Sequence, residues 1–390
     1  MYLAVIVVAV AGCSNQPAVA TFTATTMVVA TERVTMPQAS ATPSLVAMPT
    51  IAPTARAAPT ATPQSQISTQ SVQSPVPTFT QLTTGGCCVQ PFFSPDGSQV
   101  LYLDKPRPDA PTGLYAVPVT QALAVPVLFT RRLGPFSADM AFNEFLANGQ
   151  TIVERAADGK QWTIDNGGRR VLFSPDEMNI AWTVGEQSGN FDVRRSDLWL
   201  ASVDGSNPRQ VITLYGGGIQ GWLDDSTHLL VSGKARRDDI TSTLSVLSLA
   251  DGSLRKLIDV ERLRGIGLSP DGRRIFYSVS QAHDASQDGS YILDISQAGA
   301  TPLKLDFFGA ARWCSPERLY AIPIKMGAPS NELWRIDATT GQQTLVIAAA
   351  ADSAFKIGNG DWDVSRDSRR IAYFNARDHN IWVVSLPDAC

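Results

Sequence analysis

Histidine and charged residues are scarce in this 390-residue sequence, and each scarcity argues against a class of function. Only three histidines occur, His228, His283 and His379, and no two of them have the spacing of a metal-binding pair. Charged residues make up 17% of the chain and the formal net charge is −4, which gives no reason to expect nucleic-acid binding. We therefore expect no metal site, no cofactor and no nucleic-acid partner.

The sequence also lacks the short motifs of common enzymes. There is no G-x-S-x-G nucleophile elbow, which argues against the hydrolases that use one. The glycine triplet 216–218 matches neither phosphate-loop pattern and does not precede a predicted helix. We interpret this triplet as a flexible connection between two repeats, and we predict no catalytic residues.

A four-residue phrase, Ser-Pro-Asp-Gly in its fullest form, recurs seven times along the C-terminal three-quarters of the chain. The spacing between successive copies runs from 37 to 50 residues, which is the length of one four-stranded propeller blade. Short apolar runs precede and follow each copy, and no window shows a sustained helical period. The copies begin at residues 94, 137, 174 and 269, with weaker versions at 223, at 314 or 315, and at 365.

Each copy of the phrase predicts a tight turn. Proline sets φ at the first turn position, aspartate bonds to nearby backbone N–H groups, and glycine accepts a positive φ. The residues that we assign to these structural turns are Asp96, Gly97, Asp139, Asp176, Asp271, Gly272 and Asp367.

The repeats predict an all-β fold consisting of a single β-propeller. We expect seven four-stranded blades, or six if the short second unit merges with a neighbour. The last unit stops after its third strand, at residues 380–385, and an isolated strand precedes the first unit at residues 78–83. Pairing of these two segments closes the ring and removes two open sheet edges.

Residues 78–390 resemble the TolB-like, WD-repeat-related β-propeller family, whose blades carry this phrase followed by an aliphatic strand. The resemblance implies a propeller and says little about activity, since propellers carry many functions. TolB itself has a mixed α/β domain ahead of its propeller, and this sequence has no counterpart of it.

The N-terminal residues resemble the export signal of a bacterial lipoprotein. Residues 1–13 form a short apolar run that ends in Val10-Ala11-Gly12-Cys13, similar to a lipobox in which Cys13 receives the lipid. The run is too short for a transmembrane helix, and no Lys or Arg precedes it, which departs from the usual pattern. We predict a lipid anchor on Cys13, with an ordinary export signal as the alternative.

Residues 14–77 are rich in Thr, Pro and Ala and nearly free of charged and aromatic residues. Such a segment buries too little apolar surface to offset the entropy of ordering, so we predict a disordered linker. The resulting organisation is a signal with lipid anchor, a linker, and a propeller domain over residues 78–390. The localisation that we expect is extracytoplasmic, at the cell membrane of a bacterium.

Four further cysteines follow Cys13, and an exported protein can form disulfides between them. Cys87 and Cys88 are adjacent, Cys314 lies in a predicted inner strand, and Cys390 is the last residue. A bond from the adjacent pair to Cys390 and a vicinal bond within the pair both stay open. The bond to Cys390 would have to join residues that we expect on opposite faces of the ring. No C-x-x-C pair exists, which argues against structural zinc.

The candidate binding surface consists of long loops between the second and third strands of units three to six. Long loops on one face of a rigid scaffold are common sites of function, and neighbouring arginines suit a carboxylate or phosphate. The alternative is that these are solvated loop tips with internally compensated charge. The candidate residues are Arg194, Arg195, Lys234, Arg236, Arg237, Asp238, Asp239, His283 and Asp284.

These features predict a non-enzymatic binding or scaffold module. A monomeric, lipid-anchored propeller would present its loops to a protein or an envelope glycan. The alternative is a hydrolase or lyase in the central channel, with carboxylates and His283 as acid–base groups.

Overall fold

The computed structural model describes residues 76–86, 88–297 and 299–390, all of which belong to one compact unit. Cys13, Cys87, the predicted signal and nearly all of the predicted linker lie outside the described residues.

Antiparallel strands dominate the described residues, and each repeat of the sequence forms one meander. We number the repeats as units one to seven. Unit one contains β2 (Val89–Phe93), β3 (Gln99–Asp104), β4 (Gly113–Pro118) and β5 (Val127–Thr130). Unit two contains β6 (Phe142–Ala147), β7 (Gln150–Arg155) and β8 (Gln161–Ile164). Unit three contains β9 (Leu172–Phe173), β10 (Asn179–Gly185), β11 (Arg195–Ser202) and the first half of β12 (Arg209–Trp222). Unit four contains the second half of β12, β13 (His228–Lys234), β14 (Thr243–Ser248) and β15 (Leu254–Asp259). Unit five contains β16 (Leu263–Leu268), β17 (Arg274–Val279), β18 (Gly289–Asp294) and β19 (Leu303–Leu305).

The remaining strands build units six and seven and close the ring. Unit six contains β20 (Gly309–Ser315), β21 (Arg318–Pro323), β22 (Leu333–Asp337) and β23 (Gln343–Ile347). Unit seven contains β24 (Ile357–Val364), β25 (Arg370–Asn375), β26 (Ile381–Ser385) and the isolated β1 (Thr78–Gln81). Two 3-10 turns, Phe191–Val193 and Ala285–Gln287, are the helical elements of the described residues. The predicted all-β fold is confirmed.

The middle strands are apolar on both faces because each sheet packs between two others. In β3, Val100, Leu101 and Tyr102 are all fully buried, and Ile371, Ala372 and Tyr373 are equally buried in β25. The first strands contact one another around the centre, β2 with β24, β24 with β20 and β20 with β16. The sheets are therefore the blades of a propeller with first strands innermost.

The predicted ring closure is confirmed. β1 pairs antiparallel with β26 as the fourth strand of unit seven, with Thr78 opposite Ser385 and Gln81 opposite Trp382. β12 runs without interruption from the sheet of unit three into that of unit four, and unit two has three strands in its sheet. Its first strand is reduced to a single bridge between Phe136 and Asn143. Seven blades therefore stays our prediction, with six as the alternative.

The repeated phrase forms the turn between the first and second strands. Ser94 Oγ donates to Asp96 Oδ1 at 2.6 Å, and the same carboxylate oxygen accepts the Ser98 N–H at 3.1 Å. The Ser94 hydroxyl and the Ser98 N–H lower the pKa of Asp96 to about 2. The equivalent serine-to-aspartate bonds measure 2.5–2.7 Å at Asp176, Asp271 and Asp367.

Antiparallel meanders give the ring two distinct faces. We call the face with the repeated turns the turn face. The opposite face, which carries the connections from second to third strands and from each unit to the next, is the loop face. By this rule β1 runs from the turn face, at Thr78, to the loop face, at Gln81.

The disulfide of the described structure joins Cys314 to Cys390, with Cα atoms 5.7 Å apart. Because Cys390 is bonded to Cys314, the predicted alternative of a bond from Cys87 or Cys88 to Cys390 is wrong. β26 ends on the turn face, as does β20 beside Cys314, whereas residues 82–86 and Cys88 lie on the loop face. Cys88 is buried there, and its Sγ lies 3.5 Å from Thr83 Oγ1.

Candidate functional site

The loop between β10 and β11, residues 186–194, is held by backbone contacts rather than being free. Asn190 Oδ1 accepts the Asp192 N–H at 3.1 Å and caps the 3-10 turn. The Gly216 N–H donates to Arg194 O at 2.9 Å. Gly216 has φ +66°, and a Cβ there would lie 2.4 Å from Asp192 O. The loop is thus docked on β12 at a position that only glycine fits.

The interpretation of the glycine triplet as a flexible connection is wrong. Residues 216–218 lie inside β12, and a Cβ on Gly217 would lie 2.0 Å from Ser232 O. Because glycine has no side chain, the neighbouring backbone can approach these positions closely. Close packing, rather than flexibility, therefore explains the glycines.

An ion pair connects the loops of units three and four. Glu186 Oε1 accepts Arg237 Nη2 at 3.0 Å, and Glu186 Oε2 accepts the Arg195 N–H at 3.0 Å. The Arg195 N–H, and then the Arg237 guanidinium, lower the pKa of Glu186. The Arg237 guanidinium also lies over the Tyr215 ring, 5.4 Å from its centroid. Arg195 and Arg237 are therefore brought together by a shared carboxylate.

The arginines divide into those that hold loops and those that do not. Arg195 Nε donates to Asp197 Oδ1 at 2.9 Å, and Arg194 Nε donates to Gly189 O at 2.9 Å. By contrast, the side chains of Lys234, Arg236 and Asp238 make no hydrogen bond or ion pair within the described residues.

Unit four also contains a small local turn. Asp239 Oδ2 accepts the backbone N–H of Arg236 at 2.9 Å, and Arg236 itself is exposed. The loop of unit four, residues 235–242, thus presents an unpaired cation beside the paired Arg237.

His283 and Asp284 form a separate group in unit five. His283 Nδ1 lies 2.8 Å from Glu261 Oε2, and the imidazole is 84% exposed. Asp284 caps the second 3-10 turn by accepting the Ser286 N–H at 2.9 Å, and Ser286 lowers its pKa. No described contact joins this group to the arginines of units three and four.

Apolar side chains at the loop tips were missed by the sequence reasoning. Ile240 and Met326 are each 95% exposed, and Ile324 is 63% exposed. Phe191 and Phe308 are about half exposed on the same loop face. The available signal was a large apolar residue beside charged ones in a loop, such as Ile240 after Asp239 or Met326 after Lys325.

Two carboxylates of the innermost strand β24 were also missed. Asp361 Oδ2 accepts the Gln90 N–H at 3.2 Å, and Asp363 Oδ2 accepts the Phe93 N–H at 3.1 Å. Burial raises the pKa of both groups. These bonds connect the innermost strands of units seven and one. The signal was the alternation Asp-Trp-Asp in a first strand.

Glu144 has a similar role between units two and three. Its side chain is almost fully buried, and Oε2 accepts the Val171 N–H at 3.1 Å. Burial raises its pKa. The buried Glu144 and the partly buried Asp361 and Asp363 thus each satisfy a backbone donor of a neighbouring unit.

Neither a metal site nor a membrane span is found in the ranges that the structure describes. No three His, Cys, Asp or Glu side chains there are grouped closely enough to hold a metal ion. Those ranges also contain no helix with the length and hydropathy of a membrane span.

Solved structures match this fold across most of the chain. An oligogalacturonate lyase in complex with manganese matches with TM-score 0.51 and 14% identity, over 80% of this chain and 91% of that chain. The Cps50 (Swd1) β-propeller domain from Myceliophteria thermophila matches with TM-score 0.51 and 11% identity, over 80% and 99%. A putative TolB from Agrobacterium tumefaciens matches with TM-score 0.37 and 14% identity, over 80% and 97%.

No protein-family model and no curated protein sequence matches the chain. The structural likenesses confirm the predicted β-propeller at the level of the fold. The proteins that share it include an enzyme, the lyase, and the Swd1 domain.

Proposed function

We propose that this chain is a lipid-anchored, extracytoplasmic binding or scaffold module. Its loop face over units three to six binds a protein or an envelope glycan. The observation that carries the proposal is the combination of held loops with unpaired tips on that face.

Rigid loops with exposed apolar tips and free cations suit a binding surface. Interfaces draw most of their affinity from a few large side chains and from arginine. Ile240, Met326 and Arg236 are such residues, and they make no contact that the fold needs. A backbone bond closes a turn in each of their loops, from the Asp239 N–H to Arg236 O and from the Ala328 N–H to Lys325 O, so less ordering entropy is lost on binding.

The direction of β1 supports display of the loop face. The chain enters the propeller at Thr78, on the turn face, and therefore on the side opposite the proposed binding loops. A tether attached there leaves the loops unobstructed.

The disulfide supports the proposed export. Disulfides persist in oxidising compartments and are rare in the bacterial cytosol. Cys314 and Cys390 are 76 residues apart in sequence and bonded to each other.

The test is capture of partners from a bacterial envelope extract by the purified chain. We expect Ile240→Ser with Arg236→Ser to reduce the yield of specific partners at least about tenfold, as for loss of hot-spot contacts. The matched control is Val125→Ser on the turn face, where the side chain is 83% exposed. Equal partner profiles for both variants and the wild type would contradict the proposed face.

The alternative of a channel hydrolase or lyase stays a separate proposal. It requires an acid–base carboxylate, yet Asp361 and Asp363 already accept backbone N–H groups. A screen against acidic polysaccharides and esters distinguishes the two functions. Turnover that is lost in Asp361→Asn would favour the enzyme.

A further inference from the structure

Two cavities lie side by side on the turn face, separated by Pro95. The first, of about 330 Å³, lies between units one and two and is lined mainly by Phe92, Phe93, Phe136 and Met140. The second, of about 310 Å³, lies between units seven and one, beside Arg366 and Arg370. Both volumes are at the small end of ligand pockets, which suits one side chain or a small molecule.

Arg366 brings a positive charge to the rim of the apolar cavity. Its Nη2 lies 3.9 Å from Asp139 Oδ1, and the two side chains are 79% and 66% exposed. An exposed pair at this distance contributes about 0–1 kcal/mol, so it holds little of the fold together. Asp139 lies between Ala138 and Met140, which both line the apolar cavity.

Asp139 departs from the repeated turn geometry. Asp96, Asp176, Asp271 and Asp367 each accept a bond from the serine of their own turn. In unit two, Ser137 accepts the Phe142 N–H at 3.0 Å, as the other four serines accept the N–H five residues on. Within the described residues Ser137 makes no bond to Asp139, whose Oδ1 instead lies 3.9 Å from Arg366 Nη2. This carboxylate therefore occupies the position that an external carboxylate would take.

We propose that this surface binds a carboxylate attached close to a hydrophobic side chain, as in a peptide with a hydrophobic C-terminal residue. The apolar side chain enters the cavity between units one and two. The carboxylate replaces Asp139 as the partner of Arg366. This turn-face site is independent of the loop face and does not rest on the function proposed for it.

The test uses N-acetylphenylalanine and its C-terminal amide as probes in a titration followed by NMR. The acid binds the wild-type chain about fivefold more tightly than the amide, because only the acid offers a charged acceptor to Arg366. Asp139→Asn removes the internal competitor and raises affinity for the acid. Arg366→Gln removes the preference for the acid and leaves the amide unaffected.

Two further variants separate a specific site from general effects. Arg369→Gln removes an exposed arginine of the same turn that does not line either cavity, and it leaves the preference for the acid intact. Ala138→Trp fills the apolar cavity and abolishes binding of both probes, with an unchanged melting temperature as evidence of folding. Failure of both probes to bind, equal binding of the two, or weaker binding of the acid to Asp139→Asn overturns the proposal.

Discussion

At the scale of single residues, the fourth position of the repeated turn has the same left-handed backbone whether or not it is glycine. Gly97 and Gly272 have φ near +68°, and Met140, Glu177 and Ser368 have φ of +58° to +59°. A non-glycine residue in this region costs about 1–2 kcal/mol. The fold therefore imposes the turn even where the sequence opposes it.

Glu177→Gly is expected to raise the free energy of unfolding by about 1 kcal/mol, since it removes this backbone cost. It also removes a buried Oε1 that has no hydrogen-bond partner within the described residues. Chemical denaturation measures the change. The matched control is Gly97→Ala, where the added Cβ meets no atom within 4 Å. Only the backbone cost applies there, so the free energy of unfolding should fall by about 1 kcal/mol. Destabilisation by Glu177→Gly would show that its side chain makes a favourable contact.

Asp363 connects stability to pH. Its pKa is raised by burial, so the native state binds more protons than the unfolded state between the unfolded value, about 3.9, and the raised one. Within that window stability falls as pH rises. Above its raised pKa the carboxylate is ionised, and its partial burial then costs free energy.

Asp363→Asn keeps an acceptor for the Phe93 N–H without the charge, so we expect equal or greater stability than wild type at pH 7. The advantage shrinks as the pH is lowered through the raised pKa. Asp363→Ala leaves that N–H unsatisfied and costs about 1–3 kcal/mol. Melting temperatures from pH 4 to 8 test this. A loss of stability in Asp363→Asn comparable to that in Asp363→Ala would contradict it.

At this scale the sequence predicted four of the five turn aspartates, all but Asp139, and did not predict the partners of the charged side chains. The phrase itself carries the local bond from Ser94 to Asp96, because both residues lie within one turn. The pair Glu186–Arg237 spans 51 residues and depends on how two units dock. No local pattern determines such a contact.

At the scale of elements, β12 determines the position of the candidate loop of unit three. Its glycine triplet allows Ser232 and Asp192 to approach the strand backbone closely. The strands themselves were predictable because apolar runs and turn residues alternate locally. The docking of loop 186–194 was not, since a glycine triplet is compatible with flexibility and with close packing alike.

Gly216→Ala is expected to lower the free energy of unfolding by about 2 kcal/mol, because the new Cβ clashes with Asp192 O and the positive φ is strained. It also frees the loop, so trypsin cleaves faster after Arg194 or Arg195. Gly221→Ala on the same strand is the control, since a Cβ there meets nothing within 4 Å. Unchanged cleavage in Gly216→Ala would mean that the loop is held by other contacts.

At the scale of the whole molecule, the ring is closed at three places between units six, seven and one. β1 completes the sheet of unit seven, Asp361 and Asp363 bond to the first strand of unit one, and the disulfide ties the C-terminus to unit six. The sequence predicted the first of these from the count of strands. It left the disulfide open because residues 386–390 have no regular pattern.

Cys390→Ser is expected to lower the free energy of unfolding by about 4 kcal/mol, the value for a loop closed over 76 residues. Denaturation with and without reductant measures it. Reductant should destabilise the wild type by a similar amount and leave Cys390→Ser unchanged. A variant as stable as the oxidised wild type would mean that β1 and the Asp361 and Asp363 bonds keep the ring closed without the disulfide.

The direction of β1 has a mechanical consequence. A pull on the chain before Thr78, directed away from the turn face, acts along the axis of this strand. The backbone bonds between β1 and β26 are then loaded together in shear rather than broken one after another. The short pairing from Thr78 to Gln81 would thus resist tension as a unit. Once this pairing yields, the disulfide at Cys390 still fastens unit seven to unit six. Force would therefore open the ring between units seven and one only.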